Sequence, residues 1–236
     1  MKNNIYPSYQ KLASLYDKAY GKKFYIEYAN FINNLIYKNK INNPLILDLA
    51  CGTGSLIKEL NRKFNDIEGV DASVEMLQIA KIKNPKNKFY RQSFQNLNLA
   101  KKYSVITCTF DSINYLLTKK DLYRTIQNIS QHLNNNGLFI FDFNTIYKKI
   151  DPKFTNGNVV YYNSIKNNFW NVKIEITKGD RIYIEKHKER LYTLKDLKKI
   201  LEKFGIKIIE LYSDFDKKIN EQNKSERLFV ISRKIK

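Results

Sequence analysis

Apolar positions along the chain fall into two rhythms. Up to Phe143, short continuous apolar runs alternate with stretches whose apolar residues recur every three or four positions. "LILDLA" (45–50), "IEGVDA" (67–72), "KFYRQS" (88–93), "YSVITCTF" (103–110) and "LFIFDF" (138–143) read as strands. Runs of this kind suit a parallel sheet buried on both faces. Between them, "TGSLIKELNRKF" sets Leu56, Leu60 and Phe64 on one helical face. Ser73 is placed to cap the helix "SVEMLQIAKIK". "KKDLYRTIQNISQHL" is amphipathic and closes on "NNNG", where Gly137 is expected in the left-handed conformation that stops a helix. Five strand–helix alternations with short connections predict an α/β fold, a parallel sheet wrapped by helices on both faces.

From residue 144 to 190 the period becomes two. Val172, Ile174 and Ile176 alternate with polar neighbours, as do Ile182 and Ile184, and "KGD" between them is a hairpin turn. This segment reads as a small antiparallel β insertion. The helical pattern returns in "TLKDLKKILEKFG", followed by strands in "IKIIELYSDF" and "ERLFVISRK". The expected division is therefore a main unit, 1–143 and 191–236, interrupted by an inserted unit, 144–190.

The chemistry begins after the first strand. Gly52 and Gly54 permit a tight turn and close approach of a ligand, and Asp71 ends the second strand. A carboxylate there can accept both hydroxyl protons of a ribose. Dinucleotide enzymes and S-adenosylmethionine (SAM) enzymes share this arrangement. The dinucleotide fingerprint needs a third small residue where this chain has Ile57. Asp48, four residues before Gly52, would repel a pyrophosphate but suits a cationic amino group.

"LDLACGTGSL" and "GVDASVEML" resemble the first two motifs of class I SAM-dependent methyltransferases. The resemblance runs in order through nearly the whole chain. It implies a Rossmann-like, seven-stranded, mostly parallel sheet with its last strand antiparallel. It further implies that Asp48, Gly52 and Gly54 line the methionine end, that Ala50 also contacts the cofactor, that Asp71 holds the ribose, and that Ala72 and Met76 pack near the adenosine. The family's adenine-binding aspartate falls here on Ser93, a weaker acceptor, with Phe94 beside it to cover the ring. "LASLYDKAY" is similar to a segment that folds over the cofactor in a bacterial small-molecule branch, which includes sugar N-methyltransferases. That makes Tyr16 a lid candidate, although Leu12, Leu15 and Tyr16 also have the spacing of a buried helix face.

The acceptor is sought at "TCTFDSINYL", beyond the fourth strand. It carries neither the Asn/Asp-Pro-Pro-Tyr/Phe of exocyclic-amine enzymes nor a Pro-Cys nucleophile. Asp111 is a candidate to orient or deprotonate an acceptor, or else a helix cap, and Tyr115 lies in the same segment. His187 is a candidate base, though Glu185, Lys186, Lys188 and Glu189 around it also fit an ordinary solvated strand. His132 reads as a helix C-terminal dipole partner on a polar surface. No metal-ligand spacing is present, and no metal is expected.

Charge complicates the partner. A net +19 suggests nucleic acid, yet only seven of the 42 basic residues are Arg, and the lysines accompany abundant Asn, Ile and Tyr. AT-rich codons produce that mixture without a polyanionic partner, so a small-molecule acceptor is favoured and RNA is the alternative. Two cysteines without a framework pattern, no leader-like start and no long apolar run suit a reduced, cytoplasmic enzyme, monomeric or homodimeric.

Overall fold

The computed structural model describes residues 5–235, so residues 1–4 of the start read above for a leader lie outside the described residues. The chain begins with a two-residue strand, β1 (Ile5–Tyr6), and two helices, α1 (Ala13–Tyr20) and α2 (Lys22–Lys38). There follow β2 (Ile46–Leu49), α3 (Ser55–Leu60), β3 (Ile67–Asp71), α4 (Val74–Lys83), β4 (Lys88–Arg91), β5 (Tyr103–Cys108), α5 (Lys119–His132) and β6 (Leu133–Asn144). The inserted strands are β7 (Lys153–Asn156), β8 (Val159–Lys166), β9 (Phe169–Lys178) and β10 (Arg181–Arg190). The chain then returns through α6 (Leu194–Lys203), β11 (Ile206–Tyr212), β12 (Lys218–Ile219) and β13 (Arg227–Lys234).

The main sheet has the order β12-β11-β13-β6-β5-β2-β3-β4. Strands β6, β5, β2, β3 and β4 are mutually parallel, and β13 runs antiparallel to both its neighbours. This is the expected seven-stranded arrangement, with the short β12 added at one edge. All of β2 is buried, and its alternation feeds two cores: Leu47 and Leu49 face one, Ile46 the other. Helix α2 covers the second core with Tyr28, Phe31, Ile32 and Leu35, each contributing about 1.5–3 kcal/mol by burial. Helices α5 and α6 cover the first through Leu122, Ile126, Ile129, Leu197 and Leu201. The order of strands reverses between β2 and β5, which puts a crevice at their carboxyl ends.

A second sheet, β1-β10-β9-β8-β7, holds the inserted strands. Val172, Ile174 and Ile176 are buried in its core as the alternation requires, but Ile182 is exposed. Sequence periodicity did not reveal that the amino-terminal segment belongs to this sheet. β1 pairs in parallel with β10, and Leu12, Tyr9 and Tyr16 pack into the inserted core.

The turn after α5 also differs from expectation. The left-handed residue is Asn136, not Gly137, and the chain passes from His132 directly into β6. Gly137 answers a packing demand, since a Cβ there would stand 2.9 Å from the Asn134 carbonyl and 3.0 Å from the Leu133 side chain.

Candidate active site

Three of the five residues from Ala50 to Gly54 have positive φ: Ala50 at 60°, Gly52 at 53° and Gly54 at 70°. Left-handed backbone turns the chain sharply out of β2. Asp71, at the end of β3, holds this loop in place. Its Oδ2 accepts from the Gly52 amide at 2.9 Å and its Oδ1 from the Ser73 amide at 2.8 Å. Burial pushes its carboxyl above the ordinary range, against the pull of those amides. The cleft at the loop has a volume of about 540 Å³ and is lined by Ala50, Gly52, Asp71, Ala72 and Met76. Ser93, Phe94, Tyr9, Tyr16 and Tyr115 line it as well.

Two expected loop residues stand elsewhere. Gly54 faces helix α4, where a Cβ would lie 2.6 Å from Asn84 Nδ2 and 3.1 Å from Ala80 Cβ. Its glycine serves close packing of α3 on α4, not contact with the cleft. Asp48 borders a smaller hollow under the loop together with Tyr16, Ala50 and Gly52. It is 1% exposed and accepts from Thr107 Oγ1 at 2.7 Å, and burial pushes its carboxyl up to about 7.

A second cavity, about 350 Å³, lies between the carboxyl edge of the main sheet and the inserted sheet. Asp111, His187 and Glu189 line it, together with Lys148, Lys149 and Trp170. Tyr9, Tyr16 and Tyr115 line both cavities, so the two spaces adjoin at a tyrosine partition.

The turn carrying Asp111 is strained, because Phe110 and Asp111 are consecutive non-glycine residues at φ 58° and 51°. Asp142, at the end of β6, holds it there. One of its oxygens accepts from the Phe110 amide and the other from the Asp111 amide, each at 2.8 Å. Tyr28 donates to the same carboxylate, and Arg227 pairs with it at 2.5 Å and with Asp111 at 3.4 Å. Asp111 makes no side-chain cap bond, which removes the capping reading. Burial holds its carboxyl above the ordinary range despite Arg227. Glu189 is pushed well up by burial and by Asp111, and Asn144 Nδ2 donates to both carboxylates. Asn114 joins the two sheets, its amide donating to the Asn144 and Arg190 carbonyls at 2.8 and 2.7 Å.

His187 is not on a solvated strand; it is 5% exposed and faces the cavity. Tyr115 Oη lies 2.8 Å from its Nδ1, and Glu185 lies 3.1 Å from its Nε2. His132 is likewise buried, not a surface dipole partner: its Nε2 accepts from the Leu99 amide at 2.9 Å, and its Nδ1 donates to the Asn128 carbonyl at 2.7 Å. Sequence reading passed over Tyr9, Glu185, Glu189 and Arg227 as site residues. The signal for two of them was in "EKHKE": positions 185, 187 and 189 turn inward while Lys186 and Lys188 are exposed, which inverts the usual alternation.

Residues 46–137 match the model of the methyltransferase domain family. An uncharacterised protein of Methanocaldococcus jannaschii is 31% identical over 88% of this chain and 78% of its own. A crystal structure of an S-adenosylmethionine-dependent methyltransferase from Clostridium acetobutylicum superposes with a TM-score of 0.83, at 28% identity, over 97% of this chain and 99% of that one. The chain belongs to the class I SAM-dependent methyltransferases. A further relative is a dTDP-3-amino-3,6-dideoxy-alpha-D-glucopyranose N,N-dimethyltransferase of Streptomyces fradiae, 28% identical over 56% of this chain and 52% of that protein.

The residues of this methyltransferase fit SAM as its cofactor. The cleft volume lies within the roughly 300–1,000 Å³ usual for such ligands. Asp71 keeps acceptor capacity beyond its two amide bonds. Asp48 is a buried carboxylate with a single hydroxyl partner beside the loop, which suits a cationic group. Among the described residues no helix is long and apolar enough to cross a membrane.

Proposed function

We propose that this methyltransferase transfers a methyl group to the nitrogen or oxygen of a small-molecule acceptor held in the second cavity, with the inserted sheet as its lid. The observation that carries this reading is the tyrosine partition, which sets a cavity with acidic and imidazole groups directly against the cofactor cleft. Bound SAM supplies an electrophilic methyl group on a sulfonium, so the protein's task is chiefly alignment. In this reading Asp71 holds the ribose hydroxyls and Asp48 the amino group of the methionine moiety, beside Ala50 and Gly52. Ala72 and Met76 pack on the adenosine, Ser93 and Phe94 bound the adenine, and Tyr16 closes over the methionine end. Asp111 orients the acceptor, and Tyr115 and His187 accept its proton. The carboxyl groups of Asp111 and Glu189 favour an amine, the group named in the Streptomyces fradiae relative. Cys51 and Cys108 are both buried free thiols, which suits a reduced cytoplasmic setting.

The test is incubation with isotopically labelled SAM and either a metabolite extract or total RNA. Label is expected in a small molecule. Label in RNA, with binding whose log affinity falls steeply with log salt, would transfer the activity to a nucleic acid acceptor and give the +19 charge a role. Tight binding of S-adenosylhomocysteine with no transfer in either mixture would leave a non-catalytic module.

Asp48 predicts a pH effect on binding. Its folded carboxyl is up near 7, and it must be ionised to hold a cation, so cofactor binding below that pH expels a proton. Affinity for S-adenosylhomocysteine should rise up to about tenfold per pH unit below 7 and level off above it. Calorimetry in buffers of different ionisation heat reads the released proton directly. A flat profile from pH 5.5 to 8 would remove Asp48 from the binding site.

A further inference from the structure

Strand β10 turns Glu185, His187 and Glu189 inward, and Glu185 is the most deeply buried of them at 0% exposure. Its two oxygens accept four hydrogen bonds. Three come from backbone amides of the amino-terminal segment: Tyr9 at 2.9 Å, Leu12 at 3.0 Å, and Lys11. The fourth partner is His187 Nε2 at 3.1 Å. Burial drives this carboxyl up, but the bonds from His187, Lys11, Leu12 and Tyr9 together outweigh it and hold the group below the usual range. An ionised carboxylate only accepts, so Nε2 of His187 carries the proton. With Nε2 donating to Glu185, Nδ1 is the nitrogen left to accept, and the Tyr115 hydroxyl, 2.8 Å away, is placed to donate into it. The Tyr115 oxygen, its own proton committed, accepts from Tyr9 Oη at 2.6 Å and keeps a second lone pair. With Nδ1 accepting, each proton in the series Tyr9–Tyr115–His187–Glu185 points towards Glu185.

We infer that Glu185 is the positioning residue of a proton relay entered at the Tyr115 oxygen, its carboxylate fixing His187 in the tautomer whose Nδ1 receives the proton. The inference rests on the methyl-transfer reading above and adds the route by which the acceptor is deprotonated. As a proton passes from the acceptor nitrogen or hydroxyl to the Tyr115 oxygen, the proton already on Tyr115 passes to His187 Nδ1. The electron pair stays on the acceptor, which becomes the nucleophile, and Glu185 balances the imidazolium charge. The proton returns to solvent when product leaves, so the relay ends as it began. Because the remaining acceptor sites of Glu185 take the amides of residues 9, 11 and 12, the relay is complete when the amino-terminal segment is docked on β10.

The chain has two histidines, so the tautomer is directly measurable by long-range nitrogen NMR on histidine-labelled protein with S-adenosylhomocysteine added. The two rings should report opposite tautomers, His187 protonated on Nε2 and His132 on Nδ1. Glu185→Gln, whose amide can donate as well as accept, should leave His187 as a mixture and His132 unchanged. It should also lower turnover with the extract acceptor by about tenfold to a hundredfold, part of the 10²–10⁴ typical of positioned acid–base groups. A proton found on Nδ1 of His187 in the unsubstituted protein, as the other tautomer or as imidazolium, overturns the relay. This measurement needs no foldable variant. An unaltered tautomer in a folded Glu185→Gln protein overturns the role of Glu185. The NMR result is obtained without an acceptor, so it stands or falls separately from methyl transfer.

Discussion

Asp71→Ala is expected to weaken S-adenosylhomocysteine binding by a hundredfold or more, read by calorimetry. Hydrogen bonds to a charged acceptor contribute about 1.5–3 kcal/mol each. Two ribose hydroxyls on one carboxylate therefore amount to about 3–6 kcal/mol, which is roughly two to four decades of affinity at about 1.4 kcal/mol per decade. The substitution also releases the Gly52 and Ser73 amides that shape the loop, so the loss includes preorganisation of the cleft. Asp71→Asn keeps one acceptor oxygen and should lie between the two. A loss under tenfold for Asp71→Ala, or binding of NAD by the unsubstituted protein, would refute the assignment of this cleft.

Arg227→Met should cost about 3–5 kcal/mol of stability, the usual result of removing one partner from a buried charge pair. Arg227 bridges Asp142, which is fully buried, and Asp111. Without it, two carboxylates share one pocket with no cation between them, and the strained turn at Phe110 and Asp111 loses part of its support. At about 2–4 °C per kcal/mol for a chain of this size, the melting temperature should fall by about 6–20 °C, measured by circular dichroism. The pH dependence has a definite sign. The Asp111 carboxyl already sits above its unfolded value, and removing Arg227 takes away the attraction opposing that rise. A raised carboxyl destabilises the fold where it is ionised, so part of the loss should return as pH falls and Asp111 takes up a proton. A drop under 2 °C at neutral pH would mean that the pair holds nothing together.

Much of the main sheet was legible because its physics is local. Runs such as "LILDLA" and "LFIFDF" have to be buried on both faces, and Ile57 and Asp48 separate SAM from dinucleotides by size and charge at fixed spacing from Gly52. Where local reasoning failed, packing in the fold had set the requirement. Gly137 looked like a helix stop, but its requirement comes from the Leu133 and Asn134 atoms packed against it. Gly54 looked like a ligand-facing glycine, and helix α4 explains it instead. His187 sits between lysines and His132 before a run of asparagines in the chain, yet both are buried against partners that come from elsewhere in the fold.

The sequence by itself determined the α/β alternation and the cofactor class, since each depends on residues within about twenty positions of one another. Only the tertiary structure decided how the second cavity is built. Tyr9, Asp111, Tyr115, His187 and Glu189 come from the amino terminus, the turn after β5 and the inserted sheet, up to 180 positions apart in the chain. Their burial and bonding arise where those segments meet, and no local pattern records such a meeting.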